Sequence, residues 1–282
     1  MDAVNTVLND LKLKIVLLLP ANLFFNFLQS VNNQKMRRYF MTLMPDAFLN
    51  YAYFWRKKWA EEMINLQGPP NPHKMLVDTT RILPALCTAT KGPDGSLLTN
   101  AKIIGAGFVP KKDYMIEITK IFKNHIKKEG MAADSTSAFG RHEHATKEDR
   151  EKLRDYQKKS LIMLSKLMYL EKEVAEQKMD FSKVCTIELG HQYPDKPGHT
   201  WEYVQKSDKA TLLYFTPPVL SFELRCSVEV HTEGPYFDFS HGIHDAYFGE
   251  DPSEIHLPVY IFNVEEVFDN SATPQGYGKQ IA

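Results

Sequence analysis

Hydrophobic and polar positions alternate most regularly in the last third of the chain. LLYFTPPVLSFELRCSVEVH and LPVYIFNVEEVF are two β-patterned runs separated by a ring- and histidine-rich stretch, FDFSHGIHDAYFGEDPSEIH. Period-two alternation on Phe222, Leu224, Cys226, Val228 and Val230 predicts a strand with one buried face. Strands are expected over Ala210 to Thr216, Leu220 to His231 and Leu257 to Val264. The histidine-rich stretch between them is expected to be a loop. Polar loops on rigid strands are where binding groups concentrate.

Upstream the period changes. Apolar and aromatic residues recur at helical spacing through Leu23, Phe27, Val31, Met36 and Phe40, and again through Phe48, Tyr51, Phe54, Trp55 and Trp59. Residues 1–66 are therefore read as a helical N-terminal segment. The proline-rich run from Gly68 to Pro72 is the predicted boundary, because proline fixes φ and removes donors. Beyond it, β-formers flank Gly92-Pro93-Asp94-Gly95 and predict a hairpin. A third strand is expected over Tyr114 to Thr119, a short helix over Lys120 to Lys128 and a polar loop over Gly130 to Arg141. Thr146 followed by acidic residues predicts a capped helix running through Leu170 towards Gln177. Strands are expected again over Val184 to Leu189 and Trp201 to Val204. The fold class this implies is α+β: a β-barrel-like antiparallel sheet over 73–282, a helical insertion at 120–180 with a long inserted helix, and the helical segment in front.

Composition narrows the partners. The chain has 282 residues, 43% hydrophobic and 24% charged, with 34 basic and 35 acidic side chains and a formal net charge of -1. Nucleic-acid binders concentrate positive charge, so no nucleic-acid partner is expected. The apolar run Ile15 to Leu19 ends at Pro20, too short to span a bilayer. No membrane association is expected. Cys87, Cys185 and Cys226 form no CxxC pair and are read as free thiols in a reducing cytoplasm.

Two chemistries compete in the polar stretch. His231, His241, His244 and His256, with Glu223 from a strand, are a candidate zinc or iron set for a metal-dependent hydrolase or lyase. Alternatively the histidines are rim hydrogen-bond formers, or one of His241 and His244 is a metal-free acid or base. Arg141-His142-Glu143-His144 with Glu148 gives an HxHxxxE spacing similar to a cupin metal motif, but without the glycine that follows it there. There is no GxGxxG and no GxxxxGK[ST], which disfavours Rossmann and P-loop nucleotide sites.

The hairpin ALCTAT-KGPDGS-LLTNAKIIGAG resembles the opening of the split β-barrel proteins related to pyridoxamine 5'-phosphate oxidase. Lys123-Asn124 resembles their short helical segment after the third strand, and VYIFNVEEVFDNSATPQGYGKQI resembles their closing strand and tail. The resemblance implies a homodimer that binds flavin mononucleotide (FMN) between subunits. It also implies an oxidoreductase acting on a small planar or apolar substrate. By position it places Thr88 and Thr90 near the phosphate or ring, with Asn100, Lys102, Lys123 and Asn124 as further cofactor-binding candidates. His241 or His244 would then supply a proton, under a roof of rings such as Tyr236 and Tyr247. A non-catalytic binding protein remains the third reading.

Overall fold

The computed structural model describes residues 42–68, 70–129, 146–188, 198–249 and 257–282. The described residues belong to one compact unit, Thr42–Ala282. It opens with helix α1 (Asp46–Leu49), a π-helical turn (Asn50–Phe54) and α2 (Trp55–Asn65). Then follow α3 (Pro72–Thr80), β1 (Ala85–Lys91), β2 (Leu97–Ile103), β3 (Gly107–Pro110) and α4 (Lys112–Glu129). The middle of the unit holds α5 (Lys147–Leu167), α6 (Lys172–Lys178), β4 (Met179–Ile187) and α7 (His199–Val204). It closes with β5 (Lys209–Thr216), β6 (Leu220–His231), α8 (Pro235–Phe248), β7 (Val259–Asp269) and β8 (Lys279–Gln280).

The fold is α+β, with an eight-stranded sheet in the order β2-β1-β5-β6-β7-β4-β3, and β8 added to β7. All its pairings are antiparallel. The two ends of that order are consecutive in sequence, joined only by Ile104, Gly105 and Ala106. Strand β2 lies on β1 while β3, just beyond it, lies on β4. A flat sheet would hold β2 and β4 about 24 Å apart, five strand spacings. Instead, Lys102 on β2 reaches Glu188, the residue after β4, at 2.5 Å. Thr186 on β4 also donates to the Gly105 carbonyl at 2.7 Å. The sheet therefore curls on itself into a barrel.

The lumen is filled by alternate strand residues, among them Leu86, Leu212, Tyr214, Leu224, Phe262 and Val267. The first helices supply its largest rings. Phe48 is fully buried, edge-on to Tyr214 at 5.1 Å and to Phe222 at 5.6 Å. The wide π turn turns the consecutive residues Tyr51, Ala52 and Tyr53 all inward.

Several local expectations are corrected. Tyr114 to Thr119 is part of helix α4, because burial falls on Tyr114, Met115, Ile118, Thr119, Phe122 and Ile126, while Ile116 stays exposed. Trp201 to Val204 belongs to helix α7, whose Thr200, Tyr203 and Val204 point inward. The stretch before the first strand begins as helix α3, with Pro72 at its first turn and Asn71 capping the amides of His73 and Lys74. The long helix breaks between Leu167 and Lys172. The histidine-rich stretch is largely helical too. Helix α8 carries His241 and His244 and packs along α4 at Gly242, where a side chain would meet Thr119 and Phe122 at 3.6–3.7 Å. The polar loop at 130–141 and the cupin-like histidines His142 and His144 lie outside the described residues, as do the helices expected before residue 42.

Candidate functional site

A cleft of about 650 Å³ opens over β1, β2, β5, β6 and β7. That volume falls within the roughly 300–1,000 Å³ range of small-molecule sites. Strand alternation explains its make-up. Leu86, Thr88 and Thr90 face the lumen, so Cys87 and Ala89 face outward. The pairing places Ala101 beside Cys87, Cys87 beside Thr211, Thr211 beside Arg225 and Arg225 beside Glu266. One row thus crosses five strands, and its first three residues are small. Ala89 and Thr99 form the next pair. The lining is a shallow platform of short side chains with charge along one side.

That charged side is paired internally. Lys209 holds Glu265 at 2.5 Å, and Arg225 holds Glu223 at 2.8 Å and Glu266 at 3.3 Å. A register shift between Arg225 and Cys226 inserts an extra residue in β7, so the adjacent Glu265 and Glu266 both border the cleft. Burial alone would raise the Glu223 carboxyl. Hydrogen bonds from Arg225 and Asn270, with the guanidinium charge, outweigh it and hold the group below the usual carboxylate range. The Arg225 guanidinium also lies 4.3 Å from the centre of the Phe268 ring. On Cys87, partial burial pushes the thiol up, and the Glu223 charge adds to the shift.

On the lumen side of β1 and β2 sits a second polar group. Lys102 contacts both oxygens of Glu188, at 2.5 and 2.7 Å, and Glu188 is 1% exposed. Asn100 donates to the Thr200 hydroxyl of α7 at 2.8 Å. Burial drives the Tyr260 phenol far above its ordinary range, and the neighbouring Glu188 carboxylate adds to the effect. The Thr88 hydroxyl is buried and has no hydrogen-bond partner among the described residues.

The residues expected to bind a cofactor are therefore divided. Thr88, Thr90, Asn100 and Lys102 share β1 and β2, with Thr88 directly opposite Asn100. Thr88 and Asn100 also contribute to the cleft lining. Lys123 and Asn124 lie elsewhere, exposed on α4, where Lys123 pairs with Asp238 of α8 at 2.9 Å. His241 contacts the Leu257 carbonyl at 2.8 Å, and His244 contacts Asp245 at 3.2 Å. Both sit on α8, which packs against α4, α5, β4 and β7.

Among the described residues, the zinc or iron set does not assemble. His231 contacts Glu229 at 3.3 Å, while Glu223 is held by Arg225 and Asn270. Eight residue steps along one strand separate Glu223 from His231, about 27 Å at strand rise. His256 lies outside the described residues. Among the described residues, no three His, Cys, Asp or Glu side chains are grouped to hold a metal ion.

Lys209, Arg225, Glu265, Glu266 and Tyr260 were not singled out as site residues from the sequence. The visible signal for the acidic pair was two carboxylates side by side in an otherwise largely apolar strand.

No family model matches the chain, and no curated protein matches it. Among solved structures, it is similar to HupZ of Group A Streptococcus, with 11% identity and a TM-score of 0.35. The match covers 74% of this chain and 98% of that one. Among the described residues, no helix is long and apolar enough to cross a membrane.

Proposed function

We propose that this protein binds a planar ring, of which a flavin is the leading candidate, on the outward platform of Cys87, Ala89, Thr99, Ala101 and Thr211. One observation carries the reading. A cleft of ligand size is floored by short side chains across neighbouring strands, which leaves room for a flat ring against the sheet. A flavin bound there would supply electron transfer, making the protein an oxidoreductase for a small planar or apolar substrate. The chain's own contribution is to position the ring and to shield one of its faces.

The ring and the phosphate of FMN fit unequally. The platform suits the ring. Lys102, one of the two cations among the expected cofactor-binding residues, is engaged by both oxygens of a buried carboxylate. No step is therefore assigned to a phosphate at Lys102, and His241 and His244 have no part in this reading.

A second copy of the chain is the proposed partner. Ile103 is 66% exposed and Phe215 is 49% exposed on the same outward face, and Ile103 forms one row with Ala85 and Leu213 across β2, β1 and β5. A homodimer would cover this apolar edge beside the cleft.

The test is the visible absorption spectrum of freshly purified protein, alongside light scattering for mass. Flavin bands that bleach on reduction, in a particle of twice the chain mass, are expected. A colourless protein that takes up no flavin when reconstituted would sink the proposal.

A further inference from the structure

The cations around the cleft bear on which ring compounds it can hold. Resting on the reading above, we infer that the site is built for a phosphate-free planar ligand, a neutral isoalloxazine such as riboflavin rather than FMN. Among the described residues, the lining cations are Lys209 and Arg225. Each is already neutralised where it stands, Lys209 by Glu265 and Arg225 by Glu223 and Glu266. Three carboxylates thus accompany two cations.

A phosphate ester carries about −1.5 to −2 charges near neutral pH. To recruit either cation, it would have to displace a carboxylate from it and then remain beside the displaced group. An Arg225 freed in this way would also lose the geometry that sets it against Phe268. A ribityl chain needs none of this. Its hydroxyls can donate to the carboxylate oxygens and accept from the half-exposed Lys209. The thiol at the centre of the platform reports the same sign of field, since the Glu223 charge contributes to holding Cys87 protonated. On the lumen side the pattern repeats, with Lys102 committed to Glu188.

The experiment is a pair of fluorescence titrations of the full chain, one with riboflavin and one with FMN, at low and at moderate salt. Riboflavin should bind more tightly by about ten-fold at low salt, with the gap narrowing as salt screens the carboxylates. Glu265→Gln/Glu266→Gln should raise FMN affinity about five-fold and shift the riboflavin-to-FMN affinity ratio towards FMN, because it frees Lys209 and partly frees Arg225. FMN binding equal to or tighter than riboflavin in the unaltered chain would overturn this inference and leave the flavin reading standing. So would a double variant with no change in FMN affinity. Binding of neither compound would overturn both.

Discussion

Lys102 and Glu188 stand near opposite ends of the sheet order and yet form an ion pair at 2.5 Å. The pair ties β2 to the end of β4 where the barrel closes. The carboxylate is buried and the lysine is 30% exposed. Removing the lysine alone takes the paired cation from a buried carboxylate. Lys102→Met should cost about 2 kcal/mol, at the low side for a broken buried pair because water reaches the lysine. Adding Glu188→Gln should return much of that loss. Urea denaturation of the two single variants and the double variant measures the coupling, and additive losses would show that the pair does not act as a closure.

The first helices belong to the barrel core through Phe48. Its ring packs on Tyr214, Phe222 and Phe108. Phe48→Ala should destabilise the unit by about 3–5 kcal/mol, as for other large-to-small changes in close-packed cores. A denaturation midpoint close to that of the unaltered chain would mean these helices contribute little to the barrel.

Thiol chemistry separates the three cysteines. Burial pushes Cys185 up to about 11 and pushes Cys226 up as well. Both are buried, whereas Cys87 is half-buried on the platform. Under native conditions an alkylating reagent should label Cys87 alone, and slowly, because its thiol is also shifted up. All three should label after unfolding. Peptide mass mapping would read the order, and early labelling of Cys185 or Cys226 would contradict the packing.

Stability should depend on pH through His125. Its ring lies between α4 and α5, 2.8 Å from the fully buried Ser160 hydroxyl and against Tyr156. Burial lowers its pKa from the ordinary 6.5, with Lys128 and Lys159 acting the same way and Glu129 opposing them. The folded state thus favours neutral imidazole. Its stabilising contribution is present above the ordinary value and is lost as pH falls from 6.5 through the lower folded value. An NMR titration should place the His125 midpoint below that of an unfolded peptide. His125→Gln should flatten the stability profile across this range.

Much of the barrel was legible because strands with one buried face alternate. The Ala85 to Ile103 hairpin and the paired strands β5 and β6 follow directly from that pattern and from the Gly92 to Gly95 turn. Helices α4, α7 and α8 were harder, since aromatic and β-branched residues satisfy both periods over a few positions. Tyr114, Ile116 and Ile118 alternate as a strand would, and the burial of Met115 and Thr119 with the exposure of Ile116 identifies the helix. The site was less legible still. Sequence placed Thr88, Asn100 and Lys102 on adjacent strands, but not which side of the sheet each faces. The pairing of Lys102 with Glu188 depends on curvature, which no local pattern states.

Thr211 stands on the side of the platform next to the charged groups, between Cys87 and Arg225. Thr211→Trp places an indole where the ring of the ligand is proposed to lie, without touching the lumen. The most direct measurement is riboflavin fluorescence quenching by the unaltered chain and by this variant, with melting temperatures recorded for both. Saturable quenching by the unaltered chain, abolished in an equally stable Thr211→Trp protein, is the predicted result. Undiminished binding in the variant, or no binding by the unaltered chain, would contradict the assignment of the cleft.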